Sequence, residues 1–255
     1  MKKITRRGML NYSGKIIGTS VLAFSSGNVF SKVNNIASKD KLKIVCVGAH
    51  PDDCEVGCGG TIALLSDKGN DIVFVYLSRG EAGIKGKSYE EAAKIRTEEA
   101  LNACEILKVK PVFAGQIDGN VEFTKETRSK LLNILKEENP DLVFTLWPLD
   151  SHPDHIACSI LVQDAWEKMG KIFALYFFEV TTGMQSQNFH PTDYVDITSI
   201  VEKKKNAVFC HISQRGKEKY GTLWEPIEKF RGWENGCKKA EAFIHHVQSP
   251  KVILP

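Results

Sequence analysis

Apolar residues in this chain come in short runs, separated by longer polar segments whose apolar positions recur at helical spacing. The first clear run, residues 42–49, predicts a buried strand. Residues 57–68 predict a helix, and residues 71–77, with Ile72-Val73-Phe74-Val75-Tyr76-Leu77 as their body, a second strand. Residues 78–88 are rich in Gly and charge and predict a loop. A helix rich in Glu, Ala and Lys follows over 89–107, then a short strand over 111–114. A helix over 125–138 is stopped by Asn139-Pro140, and residues 142–147 form another apolar run. A helix over 155–169 and a strand over 172–178 complete the regular part. Such alternation predicts an α/β fold, with a parallel sheet covered by helices on both faces.

Beyond Glu179 the pattern weakens. One strand is expected over 194–197, and Ser199-Ile200-Val201-Glu202 has the form of a capping box that opens a helix ending near Cys210. Residues 214–233 are polar with scattered aromatics and predict loops, and residues 238–246 predict a last helix.

At 255 residues the chain can bury one sizeable core, so residues 39–255 are expected to form a single domain. Hydrophobic content of 42% and charged content of 25% are those of an ordinary globular protein. A net charge of +3 is too small to argue for nucleic acid, and Lys203-Lys204-Lys205 reads as a solvated helix face. Seven cysteines, an odd number, lie mostly in apolar or helical runs and read as buried free thiols. Cys54 and Cys58 have no second pair to complete a thiolate metal site.

Residues 1–38 are expected to be an export signal and linker. Thr5-Arg6-Arg7-Gly8-Met9-Leu10 resembles a twin-arginine signal, and the apolar run from Ile16 to Phe24 is too short to span a bilayer. The expected destination is the periplasm, and export after folding suits a chain that takes its metal and keeps its thiols reduced in the cytoplasm.

Two polar segments carry the candidate chemistry. His50-Pro51-Asp52-Asp53 follows the first predicted strand, and His152-Pro153-Asp154-His155 follows the strand over 142–147. Both lie beyond the C-terminal ends of strands, the edge where open α/β sheets bind ligands. His50, Asp53 and His155 offer two imidazoles and one carboxylate, a donor set that leaves positions open on Zn²⁺, Fe²⁺ or another divalent metal. Asp52, adjacent to a ligand but facing elsewhere, is free to act as general base. His152 is placed to stabilise an oxyanion or protonate a leaving amine, and Asp154 to hydrogen-bond an imidazole or keep His152 protonated. Arg79, in the Gly-rich loop, and His211 are weaker candidates for substrate binding. Asp118, beside Gly119, reads as a turn residue. Trp224 and Trp233 read as core or interface aromatics before a sugar platform, and His245-His246 as solvent-exposed.

The stretch Ala49-His50-Pro51-Asp52-Asp53-Cys54-Glu55-Val56-Gly57-Cys58-Gly59-Gly60-Thr61 resembles the signature of the PIG-L/LmbE-like deacetylases, and His152-Pro153-Asp154-His155 resembles their second motif. Ser78-Arg79-Gly80-Glu81-Ala82-Gly83, Arg96 with Glu98-Glu99-Ala100, and His211-Ile212-Ser213-Gln214 are similar to further family segments. The resemblance runs from Lys43 to Gln214. Cys54 stands between the paired aspartates and Glu55, as in the thiol-biosynthesis branch. The resemblance implies a Rossmann-like fold and a zinc-dependent removal of acetyl groups from N-acetylglucosamine derivatives. It also implies His50, Asp53 and His155 as metal ligands, Asp52 as base, and His152 as a partner of the tetrahedral intermediate.

Two other functions compete. An iron oxygenase also uses two histidines and a carboxylate, but usually on an all-β double sheet. A non-catalytic sugar-binding protein would have no use for Asp52 and His152 beside the three ligands. Neither a nucleic-acid partner nor a stable membrane span is expected, and the oligomeric state is left open.

Overall fold

A computed structural model describes residues 39–255. The export segment predicted for residues 1–38 lies outside them. Seven strands form one sheet: β1 Lys43–Gly48, β2 Asp71–Tyr76, β3 Lys110–Phe113, β4 Leu142–Leu146, β5 Ala174–Phe178, β6 Asp193–Asp196 and β7 Ala240–His245. Their order is β3-β2-β1-β4-β5-β7-β6. The first five pair in parallel, while β7 runs antiparallel to both β5 and β6. Strands β1, β4 and β5 are buried almost throughout, because helices cover both faces and leave no side for water. The α/β, Rossmann-like reading of the sequence therefore holds, with an antiparallel edge added.

The helices are α1 Asp53–Asp67, α2 Tyr89–Leu107, α3 Lys125–Glu138, α4 Pro153–Lys168, α5 Val201–Phe209 and α6 Glu225–Asn235. Ser88 and Glu91 form a reciprocal capping box at the start of α2. Asn139, in the left-handed region, ends α3 before Pro140. Helix α1 packs closely on the sheet because Gly57 has no side chain; a Cβ there would lie 2.1 Å from the Phe178 ring.

Five expectations change. Lys204 does not belong to a solvated face: it is buried, with its ammonium 2.9 Å from Glu228 and 2.7 Å from Glu241. Residues 238–246 contain β7, not a helix. Ala240, Glu241, Ala242 and Phe243 are buried between β5 and β6, and pairing overrides the helical preference of Ala and Glu. The Glu241 carboxylate accepts the Gly60 and Thr61 amides at 2.8 and 2.7 Å, so it supports α1. Residues 214–233 are largely helical, through a short helix Gly216–Lys219, a π-helical turn Tyr220–Trp224 and α6. Pro226 near the start of α6 and left-handed Gly236 at its end were the legible signals. Ser199 caps nothing: α5 begins after Ile200 without a side-chain cap. His245 and His246 are partly buried, with the His246 ring 4.3 Å from Trp166.

All seven cysteines are free. Among the described residues no helix is long and apolar enough to cross a membrane.

Candidate metal centre and active site

Strands β1 and β4 are neighbours, and the chain winds outward from them in opposite directions, through β2 and β3 on one side and β5 on the other. That reversal opens a crevice at the C-terminal edge of the sheet. Both predicted motifs fall there, each straddling the turn from strand to helix. A cavity of about 400 Å³ occupies the crevice, with His50, Asp52, Asp53, Arg96, Asp118, His152 and His155 among its lining residues.

His50 follows β1, and Asp53 opens α1. The Asp53 carboxylate accepts the His50 amide at 2.8 Å, which closes the turn and fixes its own direction. Between them Asp52 adopts φ 108°, ψ −28°, a backbone conformation costly for most side chains but tolerated by Asp and Asn. This turns the Asp52 side chain away from that of Asp53 and toward the cavity.

His155 lies in the first turn of α4. Its Nε2 is 3.3 Å from Asp53 Oδ1 and its Nδ1 is 3.3 Å from Asp150 Oδ1. His50 Nδ1 faces the other Asp53 oxygen at 3.6 Å, while its Nε2 meets Asp154 Oδ2 at 2.9 Å and Asp118 Oδ1 at 3.1 Å. Each imidazole thus presents one nitrogen to Asp53 and the other to a carboxylate behind it. That is how protein ligands are oriented around a metal.

His50, Asp53 and His155 are all buried, and their potential ligand atoms lie within 4.8 Å of one another. A second set, His50, His152 and Asp154, meets the same distance. It is less suited, because the Asp154 oxygens already accept the Gly119 and Val121 amides at 2.7 and 3.1 Å as well as His50. The donors of the first set fit a divalent ion: buried nitrogen and oxygen in a field dominated by carboxylates.

The titration shifts report that field. Burial opposes charging of His50, but Asp118, Asp154 and Asp53 outweigh it and hold its pKa well above the usual value. Burial likewise opposes charging of His155, yet Asp53 and Asp150 raise it to about 9. Asp53 is disfavoured as a carboxylate by burial, but His155 and His50 hold it well below the carboxylate range. Asp52 shifts the other way: burial pushes it up, Asp53 adds to that, and Arg96 opposes it.

Arg96 reaches from α2 into the turn. It donates to the Pro51 carbonyl and lies 3.3 Å from Asp52 and 3.7 Å from Asp118. Gly80 and Gly83 make room for it, since a Cβ at either would approach its guanidinium to 2.3 or 2.5 Å.

The remaining predicted residues divide. His152 lines the cavity and caps α4 with its own ring, Nδ1 accepting the Asp154 amide at 3.2 Å. Burial and the neighbouring His50 and His155 lower its pKa. The expectation that Asp154 keeps His152 protonated is therefore corrected: the Asp154 carboxylate serves His50. With Nδ1 accepting, neutral His152 carries its proton on Nε2. Arg79 is exposed, 5.6 Å from the Phe113 ring, and does not line the cavity; Arg96 brings the guanidinium instead. His211 is buried beneath the site, 3.0 Å from Glu55, whose other contact is the Tyr76 hydroxyl at 2.7 Å.

Asp150, Asp118, Lys219 and Gln185 escaped sequence reasoning as site residues. Asp150 stands two residues before His152 and also accepts its amide at 2.8 Å, a local signal that was available. Asp118 follows β3, but nothing in its neighbours distinguishes it from an ordinary turn residue. Trp224 lines the cavity, whereas Trp233 is exposed at the surface.

Residues 45–166 match the family model described as PIG-L: GlcNAc-PI de-N-acetylase. The chain is 33% identical over 221 residues to a diacetylchitobiose deacetylase of Thermococcus kodakarensis, covering 79% of this chain and 82% of that protein. It is 30% identical over 210 residues to a 4-oxalmesaconate hydratase of Pseudomonas putida, covering 75% and 78% respectively. The structure of an N,N'-diacetylchitobiose deacetylase from Pyrococcus horikoshii superimposes with a TM-score of 0.73 at 27% identity, covering 91% of this chain and 94% of that one. With both motifs at one sheet edge and these relatives along most of its length, the chain belongs to the PIG-L family of de-N-acetylases.

Proposed function

We propose that the protein is a zinc-dependent N-deacetylase acting on an N-acetylglucosamine-type sugar or conjugate, with His50, Asp53 and His155 as the metal ligands. The observation that carries this reading is the buried set of two imidazoles and one carboxylate at the cavity floor, with a further carboxylate beside it. A divalent ion held by His50, Asp53 and His155 would supply Lewis acidity toward an acetamide carbonyl and toward water. Asp52 takes the proton of the attacking water, because its carboxylate faces the cavity and is not needed as a ligand. His152 donates its Nε2 proton to the developing oxyanion or the departing amine. Asp154 and Asp118 orient His50, and Asp150 orients His155. Arg96 holds the turn that aims Asp52. The products are acetate and a free amino sugar.

The iron-oxygenase alternative loses its support, since the three donors sit at the edge of a mostly parallel α/β sheet and not on an all-β double sheet. Residues 1–38 are proposed to direct export, supported by Arg6-Arg7 ahead of a short apolar run. The functional reading is tested by incubating the zinc-loaded protein with a panel of acetylated amino sugars and measuring acetate. Release from at least one N-acetylglucosamine conjugate is expected. Silence across the panel at full metal occupancy would overturn the assignment.

A further inference from the structure

The lining of the active-site cavity is polar over most of its extent. Among the described residues its apolar side chains are Val56, Ala82, Val180 and Trp224. Val56, Val180 and Trp224 also line a second cavity of about 20 Å³, so they form the partition between the two. All three are buried. Val56 lies one helical turn after Asp53, on the same face of α1. Val180 lies just beyond β5, which pairs with β4, and β4 leads into the segment that carries His152 and His155. Trp224 closes the π-helical turn Tyr220–Trp224, a rare geometry that recurs at functional sites. The partition therefore stands beside the three proposed metal ligands.

The compartment behind it has room for about one water molecule. Its walls carry ions that are already paired. Lys204 lies 2.9 Å from Glu228 and 2.7 Å from Glu241, and Arg231 donates to the two Glu179 oxygens at 2.6 and 2.9 Å. An apolar chain pushed among them would disturb those pairs and offer no hydrogen bond in return. The Trp224 indole N–H has no partner among the described residues, so the ring contributes bulk to the partition and no hydrogen bond.

The carbonyl carbon of an acetamide carries a methyl on one side and the nitrogen with its sugar on the other. A hydroxyl-rich sugar suits the polar walls of the main cavity, and the methyl suits the apolar partition. We propose that Val56, Val180 and Trp224 form the subsite for the acyl group, and that Trp224 limits that group to the length of acetyl. This subsite rests on the deacetylase reading above and names the residues that decide which acyl group is removed.

The probes are methyl glycosides and chitobiosides of glucosamine bearing N-acetyl, N-propionyl or N-butyryl groups. Zinc-loaded parent, Trp224→Ala and Trp224→Phe are compared by release of the free amine, and their folding by thermal unfolding. The parent is expected to favour acetyl over butyryl in kcat/KM by about 10²-fold, within the range that small changes of chain length produce in a closed apolar pocket. Trp224→Ala joins the two cavities and should lower that ratio at least tenfold, through faster cleavage of the butyryl probe. Trp224→Phe keeps most of the bulk and should keep most of the ratio. Where Trp224→Ala does not fold, Val180→Ala is expected to shift the ratio in the same direction. A parent that cleaves butyryl as well as acetyl overturns the proposal, and so do folded variants whose rates on all acyl groups fall in proportion. Amine release with either of those patterns leaves the deacetylase reading standing and removes the subsite. With no amine from any probe, binding of the same probes is read by calorimetry. A preference for acetyl that Trp224→Ala abolishes then keeps the subsite and ends the deacetylase reading, whereas equal binding, or none, ends both.

Discussion

Asp52→Asn separates catalysis from folding at this site. Asn is nearly isosteric with Asp and tolerates the left-handed backbone at φ 108°, so the turn keeps its shape. An Ala at this position would add about 1 kcal/mol of backbone strain, which would confuse the result. The substitution removes one partner of Arg96, 3.3 Å from the guanidinium, but Asp118 and the Pro51 carbonyl remain. The Asp52 side chain is 20% exposed, and such a partly solvated pair contributes about 0.2–1 kcal/mol. Against that loss, burial raises the Asp52 pKa, so its ionised form is disfavoured by the fold and a neutral amide relieves the cost. Stability should therefore stay within about 1 kcal/mol of the parent. The ligand trio is untouched, so zinc content should stay the same. Only the acceptor for the proton of the attacking water is gone. The expected loss in kcat is about 10²–10⁴-fold, equivalent to about 3–5 kcal/mol of barrier. The measurements are acetate release under saturating substrate, metal content by elemental analysis, and thermal unfolding. Turnover at the parent rate would refute the reasoning and assign the base elsewhere; loss of zinc would make Asp52 a ligand.

Other outcomes follow from the same geometry. His155→Ala should lower bound metal sharply, read by elemental analysis after dialysis, and full occupancy would remove His155 from the ligand set. His152→Asn retains an acceptor for the Asp154 amide, and so the α4 cap, but lacks the imidazole; kcat should fall about 10²–10³-fold with metal retained. Loss of the metal in that variant would exchange the roles of His152 and His155. In the metal-stripped protein, the His155 pKa of about 9 lies above the unfolded value of 6.5. Its contribution to stability is complete below pH 6.5 and is lost as pH rises to about 9. Tm of the stripped protein should therefore fall across that window, while zinc binding should strengthen and release protons; a Tm that rises instead would contradict the shift. Replacing Arg6 and Arg7 together with Lys should retain the protein in the cytoplasm on cell fractionation, and unchanged export would end the twin-arginine reading.

The local order of this chain was legible because buried parallel strands are written as continuous apolar runs, which helices and Gly-rich turns then punctuate. For the same reason His50, Asp53 and His155 stood out: each lies in a polar cluster just past a strand, where ligands bind. Sequence did not show that β1 and β4 are neighbours. Their pairing depends on the winding reversal, a property of the whole sheet, and it alone brings His50 within reach of His155. Nor did local sequence assign β7, whose Ala and Glu favour a helix until β5 and β6 bury them. Asp118, Asp150, Arg96 and Lys219 gained their places in the same way, because a side chain's role at this crevice depends on the groups that meet it from other elements. His152 shows the limit most clearly. Its presence at the site was readable from the motif, but its neutral, Nδ1-accepting form was decided by the helix it caps and by the two imidazoles beside it.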